Sequence, residues 1–383
     1  MQNCAPSRCL IYQFKMKKQK IAEFFIFIVP AISLAWGNFL YLALPDESYT
    51  NKILGVYSLL AMAIIIANSY FSYRKVITLL ICIIFLVLNI LPFTENLNLV
   101  WYVKYLISII LVLLIQYKTV LTSIEIVRLK LFFVISTLLS LISPIILVEL
   151  HLIVPIDRFV YYNTRYAGFG WELVEPTGAM FISLMFSYTI SRKFFFIVSS
   201  LFIALNFWTG FPSSNTVPIF VILFLITFFI NRFNYNSIVT SISILICSFW
   251  EIIAAVMIDF ILGNMRFLFV TADQQRVFGR FEAAFSILDY EHIIFTLSDL
   301  RGIMGLNGLH GISTLGLTVL SLPLFLVFVG KISQFVIHKK DLSVTFVSLS
   351  LVTLFGTKTS LLLLLILMLV SNGSIDGRRK SLL

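Results

Sequence analysis

The residues best equipped for chemistry in this chain lie together between Tyr161 and Gly178, in the stretch YYNTRYAGFGWELVEPTG. Arg165 carries a planar fork of donors that stays charged at any physiological pH and matches the oxygens of a phosphate or carboxylate. Glu172 and Glu175 supply carboxylates, and Arg158 stands just upstream. Tyr161, Tyr162, Tyr166, Phe169 and Trp171 add rings whose apolar faces and polar edges suit sugars. Taken singly, each ring is accounted for by the aromatic belt found at membrane surfaces. Taken with Arg165 and Glu175, the cluster reads as a binding site in which Tyr166 and Trp171 contact substrate.

A second set of polar residues occupies 263–309. Arg266, Arg276, Arg280 and Arg301 form another group of arginines. Phe281, Ala284, Phe285 and Leu288 repeat at i, i+3, i+4 and i+7, which predicts an amphipathic helix lying on a membrane surface with Glu282, Asp289 and Glu291 toward water. Arg276 and Arg280 share a face if that helix extends back to them; pairing with Asp273 or Glu282, or with bulk lipid headgroups, is the plainer alternative. Asn307 and His310 close the segment, and a histidine there can serve as a base, as a phosphate partner, or simply as an interfacial side chain. Glu251, within an apolar run, is a functional candidate by its depth; a bend or a pairing with Lys104 is the alternative.

These groups must be positioned by membrane-spanning helices. Hydrophobic residues make up 60% of the 383 residues and charged residues 12%, against about 25% charged in soluble domains, and mean hydropathy is +1.00. Apolar runs recur at the length a helix needs to cross ~30 Å of hydrocarbon, whereas barrel strands would be half as long and would alternate. The expectation is an all-α polytopic integral membrane protein of about twelve transmembrane helices with two long extracytoplasmic loops, forming a single domain. The predicted spans are 21–44, 52–72, 76–93, 99–116, 129–154, 177–191, 194–210, 216–231, 237–262, 310–330, 342–356 and 359–371. The first has a basic flank like a secretory signal, but it is long enough to span and lacks a small-residue cleavage site. Met16-Lys17-Lys18 directly before it has the form of a membrane-protein start.

Net charge is +10. A nucleic-acid surface is not implied, because the basic residues fall in short clusters between spans. With the N-terminal segment 1–20 in the cytoplasm, alternation puts most of them on one side: Lys15, Lys17, Lys18 and Lys20, then Arg74-Lys75, Lys118, Arg128 and Lys130, Arg192-Lys193, Arg232, Lys331 with Lys339-Lys340, and the tail at 372–383. That is the bias of cytoplasmic loops, and both termini are then cytoplasmic. The loops at 155–176 and 263–309 fall outside, where their arginines run against the bias and call for an anion. Lipid headgroups, including lipid-linked diphosphates, are the anions available there. Pro176 belongs in the first turn of the following helix, whose free N–H groups and dipole also favour phosphate.

Familiar chemistries are missing from the sequence. It has no phosphate-binding G-x-x-x-x-G-K-[ST], no G-x-G-x-x-G, no H-E-x-x-H and no C-x-x-C, and the acidic D-x-D of many nucleotide-sugar transferases is absent. Cys4, Cys9, Cys82 and Cys247 form no metal or disulfide spacing. No metal and no cofactor are expected.

The segment Arg165-Tyr166-Ala167-Gly168-Phe169, continuing to Glu175-Pro176, is similar to the R-x-x-G-[FL]…E-P segment of the O-antigen polymerase family (Wzy type), within the wider polymerase and ligase group. A second stretch, Asn307 to Gly316 (NGLHGISTLG), resembles the H-N-x-x-L…G segment of that group, with His310 following Asn307 rather than preceding it. The resemblance extends to the arrangement of spans and two periplasmic loops over nearly the whole chain. It implies transfer of a glycan from undecaprenyl diphosphate to another lipid-linked repeat unit at the periplasmic face of a bacterial inner membrane. Membrane lipids and a chain-length regulator are the other partners implied. On this reading Arg165 and Arg280 stabilise the departing diphosphate and Glu175 or His310 takes the proton. Arg158, Tyr166, Trp171, Arg266, Arg276 and Asn307 bind substrate. An O-antigen ligase and a flippase or other transporter are the competing readings.

Overall fold

In the computed structural model, the described residues are 17–25, 73–90, 121–150, 160–161, 165–166, 174–209, 217–250 and 322–354, with the single positions 28, 35, 36, 60, 63 and 253. The fold they form is helical apart from one two-residue ladder. The elements are α1 (Tyr73–Ile90), α2 (Ser123–Glu149), β1 (Val160–Tyr161), β2 (Arg165–Tyr166), α3 (Val174–Ile190), α4 (Arg192–Thr209), α5 (Val217–Arg232), α6 (Ser237–Ser248), α7 (Leu322–Lys339) and α8 (Leu342–Leu354). Two stretches, Ser123–Leu147 and Leu322–Lys339, are long and apolar enough to cross a membrane by length and composition.

Helix starts fall into two chemical classes. α2 opens on a capping box in which Thr122 Oγ1 accepts from the Glu125 amide while the Glu125 carboxylate accepts from the Thr122 amide at 2.6 Å. α4 opens on Ser191, which accepts from the Phe194 amide, and α6 on Asn236, which accepts from Ile238 and Val239. α8 opens on Asp341, which accepts from Ser343 and Val344. By contrast α3, α5 and α7 carry Pro176, Pro218 and Pro323 in their first turns, where no intrahelical donor is lost.

Short connections make neighbours antiparallel. α3 passes to α4 through Ser191 alone, and α7 to α8 through Lys340 and Asp341. The turn from α5 to α6 holds Asn234 and Tyr235 at positive φ. Trp250 Nε1, just beyond α6, donates to the Thr353 carbonyl near the end of α8, so these two helices run in the same direction. The N-terminal segment runs parallel to α2: Lys20 Nζ lies 2.9 Å from the Glu125 carboxylate, and further along both segments Trp36 Nε1 donates to Ser136. One end of the bundle thereby collects the capped helix starts together with Lys20, Arg128, Arg192, Lys193, Arg232, Lys339 and Lys340, while the three proline-bearing starts lie at the other.

α8 is the central helix. Every residue from Ser343 to Thr353 is buried, with α3, α5, α6 and α7 packed around it. Its hydroxyls are reconciled with that setting by bonding back one turn, as Thr345 does to the Asp341 carbonyl, Ser350 to Phe346 and Thr353 to Leu349. Small side chains let helices approach closely where lipid removes the hydrophobic drive to associate. Rings fill the gaps: Phe133 meets Phe186 edge-on at 5.4 Å, and Phe224 meets Phe346 at 6.0 Å.

Three predicted boundaries are corrected. α2 begins at Ser123 rather than 129, because its capping box lies before the apolar run. The span expected at 310–330 continues through Lys339, because Phe328, Ile332, Phe335 and Val336 extend its buried stripe past a half-buried Lys331. The span expected at 237–262 is interrupted at Phe249, directly after Ser248 bonds back to the Ile244 carbonyl, a contact that bends helices. The expected spans 99–116 and 359–371, all of 52–72 but positions 60 and 63, and most of 21–44 lie outside the described residues, although 17–25 are helical.

Gly330 sits exposed in the interior of α7, and a Cβ there would meet nothing within 4 Å. Gly330→Ala should therefore stabilise the fold by about 0.5–1 kcal/mol, since alanine restricts the unfolded chain without cost to the folded one. Thermal unfolding of the two proteins in the same detergent measures this as a raised midpoint.

Candidate functional site

The window Tyr161–Gly178 is built as a reversal followed by a helix start. β1 and β2 pair antiparallel with Val160 opposite Tyr166 and Tyr161 opposite Arg165, so the chain turns back within three residues and sets Arg165 level with a tyrosine. This ladder lies within the loop expected over 155–176, most of which is outside the described residues. The helix α3 then begins at Val174, placing Glu175 and Pro176 in its first turn, as the proline led one to expect. Amides at such a start have no intrahelical acceptors and can face an anion.

Below that turn the helix is seated firmly. Pro176, Thr177, Gly178, Ala179 and Met180 are all buried. A Cβ on Gly178 would come within 3.1 Å of Phe220 Cζ on α5, so glycine is what allows α3 and α5 to approach here. Phe181 stacks on the same Phe220 ring at 5.4 Å and 12°, and Phe220 in turn meets Phe346 of α8. The first turn of α3 thus rests on a ring system joining three helices.

At the other end of α3 lies a polar cluster that the sequence reading missed. Lys130, counted among the basic residues at the cytoplasmic edge of the expected span 129–154, is inside α2 and buried, at 7% exposure. Its amine donates to Thr189 Oγ1 at 3.2 Å and to Ser343 Oγ at 3.3 Å, and Ser343 Oγ also donates to Thr189. The Phe186 ring centroid is 5.5 Å from Nζ, and the Asp341 carboxylate adds electrostatic attraction. A lysine at the centre of a membrane helix costs roughly 2.5–3.5 kcal/mol on insertion scales; Lys130, nearer one end of α2, costs less, and these contacts offset that cost. The signal was present: Ile126, Lys130, Phe133 and Thr137 fall at helical spacing, so Lys130 interrupts the buried face of its own helix.

Of the sequence-predicted site residues, the structure brings Arg165 and Tyr166 into the ladder and Glu175 into the first turn of α3. Arg158, Trp171, Arg266, Arg276, Arg280, Asn307 and His310 lie outside the described residues, as do Glu251 and Lys104. Among the described residues no group of histidine, cysteine and acidic side chains could hold a metal ion, and Cys247 is a free, buried thiol.

Comparison with known proteins identifies no relative: no family model matches the chain, and neither a curated protein nor a solved structure is similar to it.

Proposed function

We propose that this chain is a membrane glycosyltransferase of the O-antigen polymerase type, joining undecaprenyl-diphosphate-linked repeat units at the outer face of a bacterial inner membrane. The observation that carries the reading is one of sidedness. Arg165 and Glu175-Pro176 lead into a helix whose start lies at the end of the bundle opposite the basic residues. Basic ends face the cytoplasm, so a donor at the mouth of α3 is a lipid-linked sugar rather than a cytoplasmic nucleotide sugar.

Helix directions support the span count from the first to the fifth and from the ninth to the eleventh. The alternation requires the first and fifth spans to be parallel, and the ninth and eleventh likewise; the Lys20–Glu125, Trp36–Ser136 and Trp250–Thr353 contacts agree with both. A miscount by one span between any of these pairs would have set them antiparallel.

In the proposed reaction the bond from the donor sugar C1 to the diphosphate oxygen breaks and a new bond forms from C1 to an acceptor hydroxyl. Arg165, with Arg276 or Arg280 from the second loop, takes up the charge of the departing undecaprenyl diphosphate. Glu175, or His310 in its place, receives the hydroxyl proton. Tyr166 and Trp171 orient the sugars, and Arg158, Arg266 and Asn307 hold the remainder of the two lipid-linked substrates.

Loss of the gene distinguishes this reading from its competitors. A cell without the polymerase should carry lipid A capped with a single repeat unit, resolved on a gel as one band above the core. Lipid A devoid of any unit would point to a ligase or a flippase and overturn the assignment.

A further inference from the structure

Lys130 is an expensive way to fill its position. A methionine of similar length would occupy the same space between α2, α3 and α8 without an amine to satisfy, and replacing buried ionic groups by apolar ones of like volume is often neutral or stabilising. What an apolar side chain cannot do is fix a setting: it tolerates small slides and rotations of its neighbours. An amine held to hydroxyls on two other helices does not. Lys130 bonds Thr189 of α3 and Ser343 of α8, which also bond each other, so the three helices have one mutual register at this end.

α3 is the element that matters in this constraint. Thr189 is next to its last residue and Glu175 next to its first, roughly 21 Å apart at the helical rise. Between them the helix is continuous and packed on both sides, by Phe133 against Phe186 near one end and by Phe220 against Gly178 and Phe181 near the other. An axial slide or rotation released at Thr189 is therefore transmitted to the first turn.

We propose that Lys130 is a positioning residue for the site at the opposite end of α3, acting through Thr189 to hold the turn that bears Glu175. This rests on the polymerase reading for its catalytic consequence, but its mechanical part does not.

The test uses full-length protein in lipid nanodiscs, with Lys130→Met and Thr189→Val as variants; the second removes the α3 hydroxyl, with its bonds from Lys130 and Ser343 and its own to the Phe186 carbonyl, and leaves the amine its bond to Ser343. Three quantities are measured on each: the thermal midpoint, kcat and KM with a lipid-linked repeat unit, and hydrogen exchange of the amides from Thr177 to Ile182. Both variants should keep the midpoint, retain KM and lose kcat by about tenfold or more, the scale on which a shift of about 1 Å acts. Exchange at 177–182 should quicken although neither substitution touches those residues. Unchanged kcat and exchange in Thr189→Val would overturn the proposal, whether or not Lys130→Met inserts. So would a loss of midpoint in proportion to activity, which marks a merely structural contact. If the wild-type protein does not polymerise, the functional reading fails, and quickened exchange at 177–182 still decides whether the two ends of α3 are coupled.

Discussion

Arg165→Ala should leave the chain in the membrane at its normal level and lower polymerisation by at least about a hundredfold, the usual effect of removing one preorganised donor from a developing anion. The reasons are chemical and positional. Among charged residues Arg165 alone belongs both to the described ladder and to the segment leading into α3. Arg165→Lys keeps the charge but not the fork and should recover part of the activity. Gel analysis of lipid A reads the outcome directly: long ladders collapse to a single repeat unit in Arg165→Ala. A normal ladder would remove Arg165 from the mechanism.

The second large effect is on stability. Phe220→Ala should destabilise the bundle by about 2 kcal/mol or more. A buried Phe→Ala change in a soluble core costs about 3–5 kcal/mol; part of that is lost here because separated membrane helices still face lipid rather than water. The cavity remains. Phe220 is fully buried, fills the space above Gly178, stacks on Phe181 and reaches Phe346, so no single neighbour can collapse into the gap. Thermal unfolding in detergent should show a lowered midpoint, and a smaller drop for Phe220→Leu. An unchanged midpoint would mean that α3, α5 and α8 are not joined through this ring.

Helix existence was legible because spans announce themselves by apolar length alone, and all eight helices named here overlap predicted spans. Boundaries were less so, for a specific reason: charge was taken to mark a loop. Arg128 and Lys331 both violate that rule, each lying inside a helix that continues past it, and Lys130 goes further by finding hydroxyl partners on two other helices. A partner contributed from more than 200 residues away, as Ser343 is to Lys130, leaves no local mark. The close approach at Gly178 is of the same kind: a glycine two residues past Pro176 gives no hint that a phenylalanine on α5 requires it. The ladder that sets Arg165 against Tyr161 is too short for alternation to reveal. What the sequence could propose without long-range partners was a site. Arginine and carboxylate flanked by rings, ahead of a proline-bearing helix start, is a pattern of residue types and needs no long-range partner to be seen.

The central claim is that this chain alone elongates a lipid-linked glycan. Purified protein in vesicles, supplied only with undecaprenyl-diphosphate-linked repeat units, should produce chains of two and more units and release undecaprenyl diphosphate for each bond formed, with Arg165→Ala showing neither. Repeat units recovered unchanged from vesicles containing folded wild-type protein would contradict it.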